Sequence, residues 1–353
     1  MYCYIHIPFC TSKCKYCRFA SFSNFDELKI QFYVDFLSKN ILEKIEKDIS
    51  LESIYFWWWT PSVLNIAQIK QILNALNQRF DFSSDIEISF ETTPQNISLE
   101  NLKAWKNLWI NRMSIGIQSL NDKALKEIGR ISSREIFQTF DILEISPIEN
   151  ISLDFIIGLP YTKKWELRGD IATILEKYTF PKHISPYMLE DYTYPKNWEE
   201  FAFPKEQFNE EYLEIKKLLV SKNISWYEIS NFAKSGYECK HNKAYWNHSE
   251  IIAFWLWSYG FEKGRRYAYA ENFQDYYAHK NFSEEILTLE DIRLEKIMFW
   301  IRTTWFDENL LEKDKYPIIQ NYLKQNYLVK KWKILSLWEK WISLLDSILA
   351  EIV

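Results

Sequence analysis

The chain has 353 residues, 47% hydrophobic and 26% charged, with a net charge of −5; this is ordinary globular composition, which excludes a disordered, collagenous or disulfide-scaffold protein and gives no global reason to expect nucleic acid. Glycine is scarce, 7 residues beside 16 tryptophans, where an ordinary chain carries about 7% glycine, so the tryptophans have to be inspected one by one. No stretch reaches the roughly 18 apolar residues of a membrane span, and the N-terminus enters a strand-like run, not a leader.

Up to about residue 190 short apolar runs alternate with amphipathic ones. Strands are predicted at Tyr2 to Ile7, Ser53 to Phe56, Asp85 to Glu91, Arg112 to Gln118, Asn150 to Ile157 and His183 to Leu189. Between them lie helical patterns at Asp26 to Lys47, Asn65 to Gln78, Ser98 to Asn107, Asn121 to Thr139 (two helices) and Lys163 to Tyr178. Six strands in alternation with helices imply a parallel sheet, because parallel neighbours need a crossover. The fold class is therefore α/β, a partial (β/α)6 TIM-like barrel over 1–205, with the ligand expected at the C-terminal strand ends. A connecting segment, 206–282, starts with a helix at Lys205 to Ser221 and continues as an irregular aromatic-rich stretch from Trp226 to Ala270. The final part, 283–353, is predicted mainly helical: Leu289 to Arg302, Tyr316 to Gln325, a hairpin over Tyr327 to Leu337, and Glu339 to Ile352. That order is winged-helix-like, from which nucleic-acid binding does not follow.

Five cysteines, three of them Cys10, Cys14 and Cys17 in a C-x3-C-x2-C loop after the first strand, suit a reducing cytoplasm and a metal or cluster site better than a disulfide framework. Three thiolates on one loop can hold three corners of an iron–sulfur cube and leave the fourth iron open to a chelating molecule. Structural zinc is the alternative; it needs a fourth ligand from Cys3, Cys239 or a histidine, and lacks the usual second knuckle.

The run Tyr4-Ile-His-Ile-Pro-Phe-Cys10 with Cys14 and Tyr16-Cys17 resembles the radical S-adenosylmethionine (SAM) enzymes, and within them the oxygen-independent coproporphyrinogen III oxidase family. The resemblance continues through Thr60-Pro61-Ser62, Asn111 to Ser119, Gly129-Arg130, Leu153 to Pro160, His183-Ile-Ser185 and Glu228 to Ala233. It implies a radical SAM barrel in which Cys10, Cys14 and Cys17 ligate a 4Fe–4S cluster. SAM contacts are then expected from Tyr4, Tyr16, Trp58, Trp59, Thr60, Glu91, Gln118, Arg130 and Asp154.

In that family Gly-Gly-Gly-Thr-Pro follows the second strand, where this chain has Trp57-Trp58-Trp59-Thr60-Pro61. Glycine suits a loop whose backbone approaches a ligand closely, and three indoles would fill the space instead. Trp109, Trp255, Trp257, Trp300 and Trp341 also stand where the family has glycine, and Trp305 and Trp332 sit at turn-like positions. The expectation is that most of these residues are glycines encoded by UGA and read with the wrong table. Trp105 and Trp246 are expected to be genuine. A diverged paralogue that truly carries indoles is the alternative.

Two branches of the family are distinguished by residues. The dehydrogenase branch, which converts coproporphyrinogen III to protoporphyrinogen IX, has a long N-terminal extension and a further cysteine two residues after the third. Here nine residues precede Cys10, and Arg18-Phe19 follow Cys17. His241-Asn-x-x-Tyr245-Trp246 resembles the haem chaperone branch, which binds haem and delivers it to respiratory haemoproteins. His241 is then the candidate haem ligand, because neutral imidazole is a common axial ligand; a buried core histidine is the other reading. The resemblance further implies a reductant such as flavodoxin or ferredoxin, an acceptor haemoprotein, a homodimer and a cytoplasmic place with transient membrane association. Lys330, Lys331, Lys333 and Lys340 form a short basic patch that reads as a solvated face, and no nucleic-acid partner is expected.

Overall fold

A computed structural model describes residues 1–10, 13–17, 22–23, 25–44, 49–57, 61–189, 203–254, 256, 258–303, 306–337 and 345–353. Its first half runs β1 (Tyr2–His6), α1 (Glu27–Leu42), β2 (Ser50–Trp57), α2 (Ile66–Arg79), β3 (Asp81–Thr92), α3 (Leu99–Asn107), β4 (Arg112–Gln118), α4 (Asp122–Ile128), α5 (Ser133–Leu143), β5 (Asn150–Ile157), α6 (Glu166–Lys177) and β6 (Pro181–Met188). The six strands lie side by side in sequence order, every neighbouring pair parallel, as the alternation of patterns predicts. Helix starts are set locally. Asp26, Ser98 and Asn121 cap α1, α3 and α4 through their side chains, and Asn65 and Ser132 build capping boxes with Gln68 and Glu135. Each such cap contributes about 1 kcal/mol.

The second half differs from expectation. After α7 (Lys205–Ser221) the supposedly irregular stretch carries β7 (Ser225–Glu228), β8 (Asn231–Ala233), α8 (Lys240–Trp246), β9 (Ile251–Phe254), β10 (Tyr259–Glu262) and β11 (Arg265–Tyr269), followed by α9 (Phe273–Tyr277) and β12 (Asn281–Ile286). These strands extend the barrel sheet to twelve, in the order β12-β11-β10-β9-β1-β2-β3-β4-β5-β6-β8-β7. β9 lies parallel to β1, and β8 antiparallel to β6. Strands of three to six residues are too short for a period to show in sequence; their pairing with the barrel edges, a long-range contact, decides them.

The chain closes with α10 (Leu289–Trp300), β13 (Phe306–Asp307), α11 (Tyr316–Lys324), β14 (Leu328–Lys331), β15 (Ile334–Leu337) and α12 (Leu345–Ile352), the small sheet ordered β13-β15-β14. This is the predicted helix and hairpin order. The predicted start of the last helix, 339–344, lies outside the described residues, as does Lys340. Ile297, Ile319, Leu328, Leu335 and Ile348 are buried between these elements. Among the described residues no helix is long and apolar enough to cross a membrane.

The N-terminus of helix α8 is docked on the barrel by a buried carboxylate, with Asp85 pairing Lys240 Nζ and Ser53 meeting His241 beside it. Glu87, buried on β3, accepts from Cys239 Sγ at 3.4 Å, from the Lys240 amide at 3.0 Å and from the His241 amide at 3.4 Å. Glu87→Ala leaves those donors unpaired and is expected to destabilise the protein by about 3 kcal/mol; urea unfolding that shows no loss would mean other contacts dock the helix.

Glu228, at the end of β7, is buried, and burial raises its carboxyl from the ordinary 4.5 to about 7 against hydrogen bonds from Asn231 and the Ser230 amide. The fold therefore holds the proton more tightly than the unfolded chain does. Its contribution to stability is complete below about pH 4.5 and is lost as pH rises through about 7. Glu228→Gln is expected to flatten that part of the stability profile, measured as urea midpoints at pH 5 and pH 8.

Candidate functional site

The inner face of the barrel is polar and its outer face apolar, an alternation of period two written into each strand. Tyr4 and His6 on β1, Ser53 and Tyr55 on β2, Glu87, Ser89 and Glu91 on β3, Arg112 and Ser114 on β4, Ser152 and Asp154 on β5, and His183 and Ser185 on β6 share the inside. The intervening Ile5, Ile54, Ile88, Phe90, Met113, Ile115, Leu153 and Ile184 are buried in the core between sheet and helices. Hydrogen bonds knit the inner face together. Ser114 Oγ and Ser152 Oγ donate to Asp154 at 2.8 and 3.0 Å, Tyr55 donates to Glu91 at 3.2 Å, and His183 meets Ser152 and Tyr227, each at 2.8 Å. Burial raises Asp154's carboxyl against those hydroxyls and Arg112, and burial with Arg112 nearby lowers His183 well below the usual histidine value. Most of these residues were not singled out from sequence; the alternation of polar with apolar residues along each strand was the signal available.

The cysteine loop leaves β1 at the C-terminal mouth. Phe22 donates its amide to Pro8 O at 2.8 Å and accepts from Cys10 at 3.2 Å, while the Cys17 amide closes on Cys14 O at 3.0 Å. All three cysteine side chains are buried, and no disulfide joins any cysteine of the chain. A second contact fastens the loop to α4. Gly129, with φ of +82°, ends that helix and turns the next residue, Arg130, toward the loop, where its guanidinium donates to Tyr16 Oη at 3.3 Å. Lys15 pairs with Glu127 at 2.7 Å. Burial raises the Cys14 thiol, and Arg130 opposes the shift, favouring the thiolate.

Gln118 ends β4 with a left-handed backbone, φ +72°, and is buried. Its side chain folds back over Gly116, where a Cβ would stand 2.6 Å from Gln118 Nε2 and 3.5 Å from Arg130 Nη2 and would displace the end of the Gln118 side chain. The structure thus brings Cys14, Tyr16, Gln118 and Arg130 to one corner of the mouth. Glu91 and Asp154 lie on the lumen wall, where both bear on Tyr55 and Tyr187. Tyr4 donates to or accepts from His6 Nδ1 at 2.9 Å and faces Trp57 edge-on at 5.6 Å between ring centres. Trp58, Trp59 and Thr60 lie outside the described residues, as do Arg18, Phe19, Trp255, Trp257, Trp305 and Trp341.

The cysteine loop leaves β1 at its C-terminal end, whereas His241 packs against the N-terminal part of the strands. Its ring is fully enclosed, Nδ1 sits 2.8 Å from Ser53 Oγ, and Nε2 has no partner. Tyr55 and Tyr245 stand 5.2 and 5.3 Å from it, with Tyr2 and Tyr4 beyond. Burial, then Arg112, lowers the imidazole from 6.5 to about 3, so it is neutral at physiological pH and competent as a nitrogen donor. Trp246 packs edge-on against Phe299 of α10. Among the described residues no three carboxylate, imidazole or thiol groups close around a single point.

Comparison with known proteins places these features. Residues 4–174 match the family model described as the radical SAM superfamily. The haem chaperone HemW of Bacillus subtilis is 32% identical over 85% of this chain and 83% of its own, and that of Synechocystis 31% identical over 85% and 77%. A solved structure, described as the coproporphyrinogen III oxidase HemN of Escherichia coli, a radical SAM enzyme, superposes with a TM-score of 0.85. It covers 99% of this chain and 89% of that one at 18% identity, a likeness of fold. With about a third of its residues shared along more than four-fifths of both chains, and the superfamily model taking hold in its first strand, this chain belongs to the HemW branch of the radical SAM superfamily.

Proposed function

We propose that the protein is a haem chaperone that binds a 4Fe–4S cluster, SAM and haem and hands haem to a respiratory haemoprotein. The observation that carries this reading is the identity to relatives named haem chaperone along most of both chains. Membership of the superfamily implies the cluster and SAM, and the residues at the barrel mouth fit them: three buried thiols on one loop beside a buried cation, with polar groups along the adjoining wall. Cys10, Cys14 and Cys17 would hold the cluster. When bound, such a cluster presents one open iron to SAM and can supply it with an electron. Arg130 favours the ionised Cys14 and ties Tyr16 to the loop. Tyr4, Glu91, Gln118 and Asp154, with Trp58, Trp59 and Thr60 in the loop after β2, would line the SAM site.

For haem the donor would be His241 Nε2, the ring nitrogen that Ser53 leaves unengaged. Reaching it requires α8 to lift from the strands, which means breaking the Glu87 contacts and leaving Tyr245 and Trp246 as aromatic wall for a porphyrin face. The alternative, a coproporphyrinogen III dehydrogenase, would use the same cluster and SAM to oxidise porphyrinogen propionates.

The cluster, common to both readings, is tested first, and haem binding with coproporphyrinogen turnover then separates them. Anaerobic reconstitution with iron and sulfide is expected to give the broad visible absorbance of a 4Fe–4S cluster, abolished in Cys10→Ala, Cys14→Ala and Cys17→Ala; retention in all three would move the cluster elsewhere. Haem titration is expected to give a Soret band that His241→Ala loses at least tenfold in affinity while His248→Ala keeps it, with unchanged far-UV circular dichroism. Protoporphyrinogen formed from coproporphyrinogen III by the reconstituted protein would overturn the chaperone reading.

A further inference from the structure

The backbone divides the tryptophans into two kinds. Among the described residues ten non-glycine positions have positive φ, and three are tryptophan: Trp109 at +66°, Trp165 at +69° and Trp332 at +60°. Bulky side chains avoid this region, because Cβ approaches the following carbonyl. The chain has 24 phenylalanines and 22 tyrosines, yet among described residues no phenylalanine and one tyrosine, Tyr161, adopt it. Aromatic bulk therefore does not account for the three tryptophans.

Each sits at a left-handed turn position that glycine fills without strain and an indole does not. After α3 the Trp109 amide donates to Lys106 O at 3.0 Å and the Ile110 amide to Trp105 O at 3.2 Å, a Schellman motif with Trp109 in the left-handed position. Five other helices end with the same pair of bonds, and there the left-handed residue is Gly129, Asn223, His248, His279 or Asn326. These are the types that tolerate it. Trp332 is the first of two residues joining β14 to β15, where Lys331 pairs with Ile334. Positive φ at that residue alone is the place a tight hairpin gives to glycine. Trp165 precedes α6 as its N-cap, makes no side-chain cap bond, and follows the left-handed Gly158 and Tyr161 in the same loop. Two of the indoles add little to packing, Trp109 at 63% exposed and Trp332 at 93%, whereas Trp165 is 39% exposed with Lys164 Nζ 4.6 Å over its ring.

The contrast is with Trp105, Trp226 and Trp246, all in ordinary helix or strand backbone. Trp105 is buried against Phe90 at 5.1 Å, Trp226 lies under Lys216 Nζ at 3.9 Å, and Trp246 meets Phe299 at 6.1 Å.

We propose that residues 109, 165 and 332 are glycines in the protein the cell makes, from UGA codons read as glycine, whereas residues 105, 226 and 246 are tryptophans from UGG. The assignment adds position 165 to those suggested by sequence and is independent of what the protein binds. Trp57, at the end of β2, and Trp300, at the end of α10, have ordinary backbone and are not assigned by this geometry.

The test is peptide sequencing by mass spectrometry of the protein isolated from cells that carry its own gene, with the codons read alongside. Glycine at 109, 165 and 332 with tryptophan at 105, 226 and 246 supports the proposal; tryptophan at the first three positions, or UGG codons there, overturns it. A second measurement uses recombinant protein with the residues as written. Trp109→Gly and Trp332→Gly are expected to raise the melting temperature by about 2–4 °C each, and Trp105→Gly to lower it. A fall in both of the first two would show that the turns are built for indoles.

Discussion

Arg112 carries its charge inside the barrel at 1% exposure, and much of the interior is arranged around that fact. Removing a guanidinium from water carries a penalty of several kcal/mol that only polar neighbours offset. Tyr55, Glu87, Tyr227 and Cys239 surround it, and it keeps its proton despite burial. Its field then acts outward. It favours the ionised form of Asp154 and helps hold His183 and His241 neutral. One buried cation thus acts beside burial on groups of two strands and a helix, helping hold His183 and His241 neutral and opposing the rise at Asp154. A barrel lined by aliphatic residues would need none of this, and would have no place for charged or polar ligands.

How much of this was legible in the sequence depends on range. β2 to β6 were visible because each spans seven residues or more and alternates with amphipathic helices, several with readable caps such as Asn65 and Ser132, and β1 because its apolar run leads into the cysteine loop. The cysteine loop was legible because three thiols within eight residues have few uses. β7 to β12 were not, since three to six residues show no period and their conformation is settled by barrel edges far away in sequence. The motif around His241 was legible as chemistry, but its place under the strands was not, because nothing local says that Ser53 and Glu87 will meet that helix. Arg112 looked like one more strand-end charge, and its burial depends on partners from four separate segments.

The mouth illustrates how turn geometry becomes site geometry. Arg130 reaches Tyr16 because Gly129 reverses the backbone after α4, and Gln118 folds back because Gly116 has no side chain. Of these two, Gly129 supplies a left-handed backbone and Gly116 a close approach. Tryptophan at a comparable helix end, as at 109, leaves its ring in solvent.

The pairing of Tyr2 with Ile251 and Ile5 with Phe254 bears on the order in which the molecule assembles during translation. β1 leaves the ribosome first, and β2 covers one of its edges early. Its other edge stays bare until β9 emerges some 250 residues later, a long interval for a hydrogen-bonding edge that other chains can capture. Helix α8 precedes β9 directly, so the barrel wall and its floor are completed by the same late segment. A nascent chain ending before residue 254 would therefore expose a strand edge and an open polar lumen together.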